Sequence, residues 1–432
     1  MTASLYRGRR ERLAATLKEG IVVVPTAPLK TRNDDSDYPY RFDSNFHYLS
    51  GFPEPNAVLV MVLGDRPRSI LFCQPKDEKK EIWEGYLYGP QVAREQFGFD
   101  EAYPIAELDQ RLAEWLVHQP VLHFPLGADS SWDGRMITLM NQVRAAARNG
   151  ERVPDQLSDV RGAIAEMRLI KDQTEIGLMR QAGQISAEAH RRAMQASRPG
   201  MMEYQLEAEL QYTFYRHGSR FPAYTSIVAS GLNACVLHYG ENNRQMHDGE
   251  LVLIDAGCEF QGYASDITRT FPVNGRFSGP QKAIYELVLA AQHAAIDCIR
   301  PGTPFTEPHD VALKVLTQGL IDLKLLTGSV ESAIEQGSYR QFYMHKTSHW
   351  LGLDVHDAGS YKIDGVSRRL QPGMVLTVEP GLYFRPAANV PAEFTHIGVR
   401  IEDDILVTAE GYENLTIDAP KTVADIESVM VR

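Results

Sequence analysis

Two aspartates, Asp255 and Asp266, flank a glycine-containing turn, and their spacing is the first sign of chemistry in the sequence. Residues 251–271 read as a hairpin: an apolar strand LVLID, a turn over 259–263 that includes Gly262, and a returning strand ASDITRTF. A turn centred between Phe260 and Gln261 sets Asp255 directly opposite Asp266, with the side chains about 4.5–5.5 Å apart. Two carboxylates so placed repel one another and lose hydration, unless one is protonated or a cation lies between them. Taken singly, each is better explained as an ordinary strand-end acid, solvated or bonded to turn N–H groups.

A second pair of acids weakens that ordinary reading. Glu379 follows the apolar run 375–378, and Glu402 lies in a strand otherwise reading GVRI and ILV. Between the two pairs, the segment MHKTSHWLGLDVHD supplies three imidazoles within twelve residues, His345, His349 and His356. One histidine among apolar neighbours is usually a satisfied core residue, whereas three just upstream of Glu379 suggest a ligand together with proton-handling groups. His238, in VLHYG, lies upstream of Asp255 as His356 lies upstream of Glu379. Four carboxylates and one imidazole form an oxygen-rich set that favours a hard or borderline divalent metal such as Mn²⁺ over a thiolate zinc site. Carboxylates bridging from two strands suit two metals about 3.5–4 Å apart that activate a shared water.

The elements that must position these groups are duplicated. One helix ends in Arg198-Pro199-Gly200 and is followed by another carrying Leu206, Leu210 and Phe214 on one face; a later helix over 281–299 ends in Arg300-Pro301-Gly302 and is again followed by a helix. GELVLIDAG (249–257) matches GMVLTVEPG (373–381), each a strand that starts after glycine and reaches a carboxylate six residues later. Each is followed by a second acid-bearing strand, SDIT (265–268) in one half and RIED (400–403) in the other. Two similar halves about a pseudo-two-fold axis would bring four acidic strands to one central site. This duplicated domain spans 161–432 and opens with a helix whose cap is Asp172 with Glu175 three residues on. Before it, residues 1–160 alternate helical stretches with short apolar strands at 21–25, 57–63 and 69–72 and a helical period over 108–117, a small α/β domain closed off by the polar stretch 152–161.

Composition bounds the partners. With 44 basic and 56 acidic residues the formal net charge is -12, which offers no face for nucleic acid or anionic lipid. No apolar run is long enough to span a bilayer and the first thirty residues lack a secretory pattern, so a cytoplasmic protein is expected. Cys73, Cys235, Cys258 and Cys298 are far apart without CxxC spacing, as buried thiols in a reducing compartment would be. No GxGxxG after a strand, P-loop or GxSxG elbow is present, and no cysteine stands near a plausible base.

The motifs DITRTFPV, SHWLGLDVHD, TVEPGLY and GVRIEDD resemble, in order and context, the metal-binding segments of the pita-bread metallopeptidases, the methionine aminopeptidase and prolidase superfamily, and most of all its aminopeptidase P (Xaa-Pro aminopeptidase) branch. The likeness extends to TRNDDSDYPYR and SGFPEPNAVLV in the first domain. It implies an α+β fold with a creatinase-like amino-terminal domain and a pita-bread catalytic domain. It further implies that Asp255 binds one metal, that Asp266 and Glu402 bridge both, and that His349 and Glu379 hold the other. His238 and His356 match positions that contact the substrate and its tetrahedral intermediate, and His345 a further active-site imidazole. Arg400 matches a partner of the ligand carboxylates, and Tyr383 a tyrosine close to the site. Lys346 departs from the pattern, which has glycine there.

The activity so implied is metal-assisted removal of an N-terminal residue from peptides with proline second, with Glu379 handling the water proton and His356 or His238 facing the oxyanion. Trp350 and His238 would wall the proline ring. Asp35, in the acidic run 33–37, would pair with the substrate ammonium; that run and Trp83 resemble segments that reach a neighbouring subunit's cleft, which implies a homodimer or homotetramer, against a bland reading as a solvated loop and a core tryptophan. A prolidase limited to Xaa-Pro dipeptides would share all the ligands. A metal-free creatinase-like hydrolase or a non-catalytic binding protein would have no need of the four acids.

Overall fold

The computed structural model describes residues 2–145 and 150–431. The chain divides into two compact units, Met1–Arg168 and Leu169–Arg432.

In the first unit, helix α1 (Ala3–Leu17) precedes a six-stranded sheet made of β1 (Ile21–Pro25), β2 (Val58–Val62), β3 (Arg68–Cys73), β4 (Glu101–Pro104), β5 (Val121–Phe124) and β6 (Gln156–Asp159), ordered β4-β3-β2-β1-β5-β6. The first three pair antiparallel, and the later three join parallel at the two edges. Alternate apolar residues of the central strands, such as Val23, Val60 and Phe72, pack with Leu108, Leu112 and Leu116 of α2 (Leu108–Leu116) and Leu139 and Val143 of α3 (Ser130–Ala145). That alternation is what a sheet covered by helices demands of its strands. The polar stretch 152–161 is not a plain linker, because it contains β6. An edge strand is held by main-chain hydrogen bonds and needs no apolar pattern to announce it.

The second unit opens with α4 (Gln173–Ala196), whose cap is the one expected: Asp172 accepts from the Thr174 and Glu175 amides while Glu175 accepts from the Asp172 amide. α4 packs with α5 (Glu203–Arg216), and α6 (Gly279–Asp297) with α7 (Glu307–Asp322), so each half contributes one helix pair. The first half's strands are β7 (Ile227–Ser230), β8 (Leu251–Asp255), β9 (Cys258–Phe260), β10 (Tyr263–Ala264) and β11 (Thr268–Pro272); the second half's are β12 (Val375–Val378), β13 (Gly381–Tyr383), β14 (Gly398–Arg400) and β15 (Asp403–Val407). Gly200 and Gly302 both take φ near +90°, at the equivalent helix ends, as the repeated RPG triplets require. Across the pseudo-two-fold axis the Glu402 amide donates to the Thr268 carbonyl, and the Thr270 hydroxyl lies against the main chain of Arg400.

The hairpin register differs from the one expected. Asp255 pairs with Thr268, not with Asp266, and Phe260 pairs with Tyr263, so the turn consists of Gln261 and Gly262. Both have positive φ, 50° and 90°, the signature of a tight hairpin turn whose twist matches the strands. In the second half Val378 pairs with Asp403 and Gly381 with Arg400, so continuing the ladder sets Glu379 opposite Glu402. The four acids therefore do not occupy four equivalent places. Thr268 stands where the other half has Glu402, and Asp266 stands where it has Arg400.

Candidate metal centre

Asp255 ends β8, and Asp266 lies just before β11, where the hairpin keeps its register: the Ala256 amide donates to the Ile267 carbonyl (3.0 Å) and the Ser265 amide to the Cys258 carbonyl (3.1 Å). The two strands approach closely at Gly257, opposite Asp266 in that register, where a Cβ would sit 1.8 Å from the Ser265 carbonyl oxygen. Asp266 and Asp255 share a partner, since the Tyr224 hydroxyl contacts a carboxylate oxygen of each. The segment before His349 runs beside β12, with the Glu379 amide donating to Thr347 O (2.9 Å) and the Thr377 amide to His349 O (3.0 Å). The His349 ring is oriented by its own neighbour. Nδ1 lies 3.0 Å from the Trp350 carbonyl, so Nε2 is the nitrogen turned toward Asp266 Oδ2 (3.5 Å) and Glu379 Oε1 (3.7 Å). Donor atoms of Asp266, His349 and Glu402 all lie within 4.8 Å of one another.

Burial makes this cluster costly without a counter-charge. It pushes the Glu379 carboxyl up to about 7, with His349 and Arg400 pulling back. Burial also raises Asp266 and Glu402, and the neighbouring acids add repulsion. Burial alone would lower His349, yet the Asp266 contact and the Glu379 charge carry it to about 9. Asp404, whose Oδ2 accepts from the Asp266 amide, has its buried Oδ1 without a hydrogen-bond partner among the described residues. Four clustered carboxylates with one imidazole Nε2 turned toward them fit a divalent cation site, since a cation there would take the place of the proton the acids otherwise hold on His349 and the donors are mostly oxygen.

A frame of hydrogen bonds surrounds the donors. Arg400 pairs with Asp255 and donates to Thr268 Oγ1 (3.0 Å) and Tyr383 Oη (3.0 Å), and Thr268 donates to Glu402 Oε2 (2.6 Å). Tyr383 also meets His345 Nε2 at 2.9 Å, and His345 Nδ1 is 3.7 Å from Glu379 Oε2. Behind Glu402, the buried Arg269 donates to its carbonyl (2.6 Å) and to Asp403 Oδ1 (2.6 Å). A cavity of about 500 Å³ opens over the acids, with His238, His345, Lys346 and His356 on its walls. The His356 ring lies 4.3 Å from that of His349, and burial together with His349 lowers its pKa, so it is a neutral N–H donor.

Several placements differ from expectation. Trp350 does not wall the cleft: it is fully buried in the core, stacked on Tyr361, and the apolar wall is made by Ile227, Leu237 and Val355. Its strand neighbours point to opposite faces, so a residue next to His349 in the ladder faces away from the site. In the first unit Asp35 lies exposed in the turn of a small hairpin (Thr31–Asn33 and Ser36–Asp37). Trp83 is 88% exposed on the helix Glu78–Glu84, which excludes a core tryptophan. Tyr224, Thr268 and Asp404 were not anticipated. Tyr224 could have been found, since it lies three residues before Ile227, the β7 residue that pairs with Asp255.

A mixed sheet domain beside a duplicated α+β domain with converging acids is the architecture of the pita-bread metallopeptidases, as expected from the motifs. Residues 177–409 match the model of metallopeptidase family M24, and residues 6–123 match the aminopeptidase P N-terminal domain. The chain is 46% identical to the Xaa-Pro aminopeptidase of Escherichia coli, over 99% of this chain and 97% of that one. It is also 46% identical to the Xaa-Pro aminopeptidase of Haemophilus influenzae, over 98% and 96%. The solved structure of Pseudomonas aeruginosa aminopeptidase PepP superposes with a TM-score of 0.98 at 47% identity, covering 100% of this chain and 98% of that one. This chain belongs to metallopeptidase family M24.

Proposed function

We propose that the protein is an aminopeptidase that releases the N-terminal residue from peptides with proline in second position, using two divalent metal ions, with Mn²⁺ the expected metal. The convergence of Asp266, His349 and Glu402 under the cavity, with Asp255 and Glu379 beside them, carries the reading. These five residues would hold the metals, which when bound supply Lewis acidity and a more acidic water.

The chain's own groups then divide the work. Glu379, at the cavity floor between His349 and His345, accepts the proton of the attacking water and passes it to the leaving nitrogen. His356, neutral and exposed in the cleft, donates to the developing oxyanion, with His238 on the same lining as a second contact. Arg400 and Tyr383 keep Asp255 and His345 in place. Proline has no N–H to offer. Selectivity for it therefore rests on shape, for which Ile227, Leu237 and Val355 provide an apolar wall.

The four cysteines are unpaired, which supports a cytoplasmic setting. No helix of the described residues is long and apolar enough to cross a membrane. Exposed Ile82, Trp83 and Tyr86 support assembly into a homodimer or homotetramer in which Asp35 and Trp83 complete a neighbour's cleft. The deciding assay compares Arg-Pro-Pro, Arg-Pro, Arg-Ala-Pro and acetyl-Arg-Pro-Pro with and without Mn²⁺. Cleavage of Arg-Pro-Pro alone, or far ahead of the rest, is expected; cleavage of Arg-Pro alone makes the enzyme a prolidase, and comparable cleavage of Arg-Ala-Pro removes the proline pocket.

A further inference from the structure

The cavity over the acids is lined by Asp255, Asp266, Glu379 and Glu402, and its lining holds two permanently cationic side chains, Arg400 and Lys346. Arg400 is spent on Asp255, Thr268 and Tyr383. Lys346 is exposed, and among the described residues its ammonium makes no hydrogen bond and no ion pair within 4 Å. Its main chain, by contrast, is held. The Lys346 carbonyl meets His345 Nδ1 at 2.8 Å, and the next residue, Thr347, accepts from the Glu379 amide and contacts His309 Nδ1 at 2.8 Å. An exposed ammonium thus stands on a fixed stem at the cavity wall. Of the acids on α7, Asp310 feels the Lys346 charge without an ion pair to it within 4 Å, so the ammonium is left able to bond an entering group.

A peptide entering this cleft carries an ammonium, for which the acids suffice, and a carboxylate, for which they are repulsive. Resting on the aminopeptidase reading above, we infer that Lys346 is a specificity-determining residue that holds a carboxylate of the peptide substrate. The carboxylate is either the C-terminus of a short peptide, which lies on the leaving side of the bond, or the side chain of a glutamate or aspartate. Because the lysine is exposed, the effect is roughly threefold to fivefold in affinity.

Two readouts on the full metal-loaded protein test this for the native chain, Lys346→Gln and Lys346→Glu. The first is calorimetric binding of Pro-Ala against its amide Pro-Ala-NH2; the second is hydrolysis of Ala-Pro-Ala, Ala-Pro-Ala-NH2 and Glu-Pro-Ala-NH2. Native protein should favour one carboxylate-bearing peptide, Lys346→Gln should level the preference, and Lys346→Glu should reverse it. A Lys346-dependent preference for Pro-Ala and Ala-Pro-Ala assigns the C-terminal carboxylate, and one for Glu-Pro-Ala-NH2 assigns a side chain; both uphold the proposal. Identical discrimination by native protein and Lys346→Gln in every comparison overturns it. Should no peptide be hydrolysed while binding keeps its dependence on Lys346, the aminopeptidase reading fails and the carboxylate contact stands.

Discussion

Asp266 touches more of the site than its neighbours do: it faces His349, shares Tyr224 with Asp255 and is anchored through its amide to Asp404. Asp266→Ala should abolish peptidase activity and lower the bound metal, while the far-ultraviolet dichroism stays native, because one carboxylate contributes little to the core. Near-normal turnover would refute its role. His356→Ala should lower kcat by roughly 10²–10³ with metal content unchanged, as the loss of one oxyanion donor does; metal loss measured by elemental analysis would make it a ligand instead. The acids and histidines of this site were legible because charged types interrupt apolar strands, where they are costly without a purpose. Tyr224, Thr268 and Asp404 were not, since a tyrosine, threonine or aspartate near a strand end is ordinary until the ladder shows what it faces. Trp350 was misplaced for the same reason, as one step along a strand exchanges the cleft for the core.

Strand ladders and turns carry the geometry at the next scale. The duplicated units, the helix pairs and the capping box of α4 could be read from repeated glycines and acids. The hairpin register could not, because Gly262 permits several turn placements and Gln261 gives no sign of the left-handed conformation it adopts. Gly257 is the element-level test. Its α-hydrogen faces the Ser265 carbonyl, so Gly257→Ala must push the returning strand away and displace Asp266. The variant should lose about 2 kcal/mol or more of stability in urea titrations and bind Mn²⁺ more weakly. Gly177→Ala, in the exposed face of α4 with nothing within 4 Å of the added methyl, should be neutral or stabilising by up to about 1 kcal/mol.

For the whole molecule, the first unit offers a pH signature of its own. His47 is buried against Phe42, its ring nitrogens have no hydrogen-bond partner among the described residues, and burial holds its pKa down to about 3. Below about pH 6.5 the unfolded chain takes up a proton that the folded chain refuses, so stability falls by about 1.4 kcal/mol per pH unit from there toward pH 3. His47→Phe should flatten that slope, followed by tryptophan fluorescence, since Trp83, Trp115 and Trp132 all lie in this unit. Assembly is tested by sedimentation: Trp83→Ser should weaken association and activity together, and a fully active native monomer would remove any role for a neighbour's Asp35 or Trp83. In the second unit, chelation should lower the melting temperature, because the clustered acids then repel without compensation. The two halves of that unit are no longer interchangeable, for Thr268 and Asp266 stand where the other half has Glu402 and Arg400. A strictly symmetric cleft would present the same groups to a polypeptide running either way. This one has a head and a tail, so a chain that enters backwards does not meet the same groups in the same order.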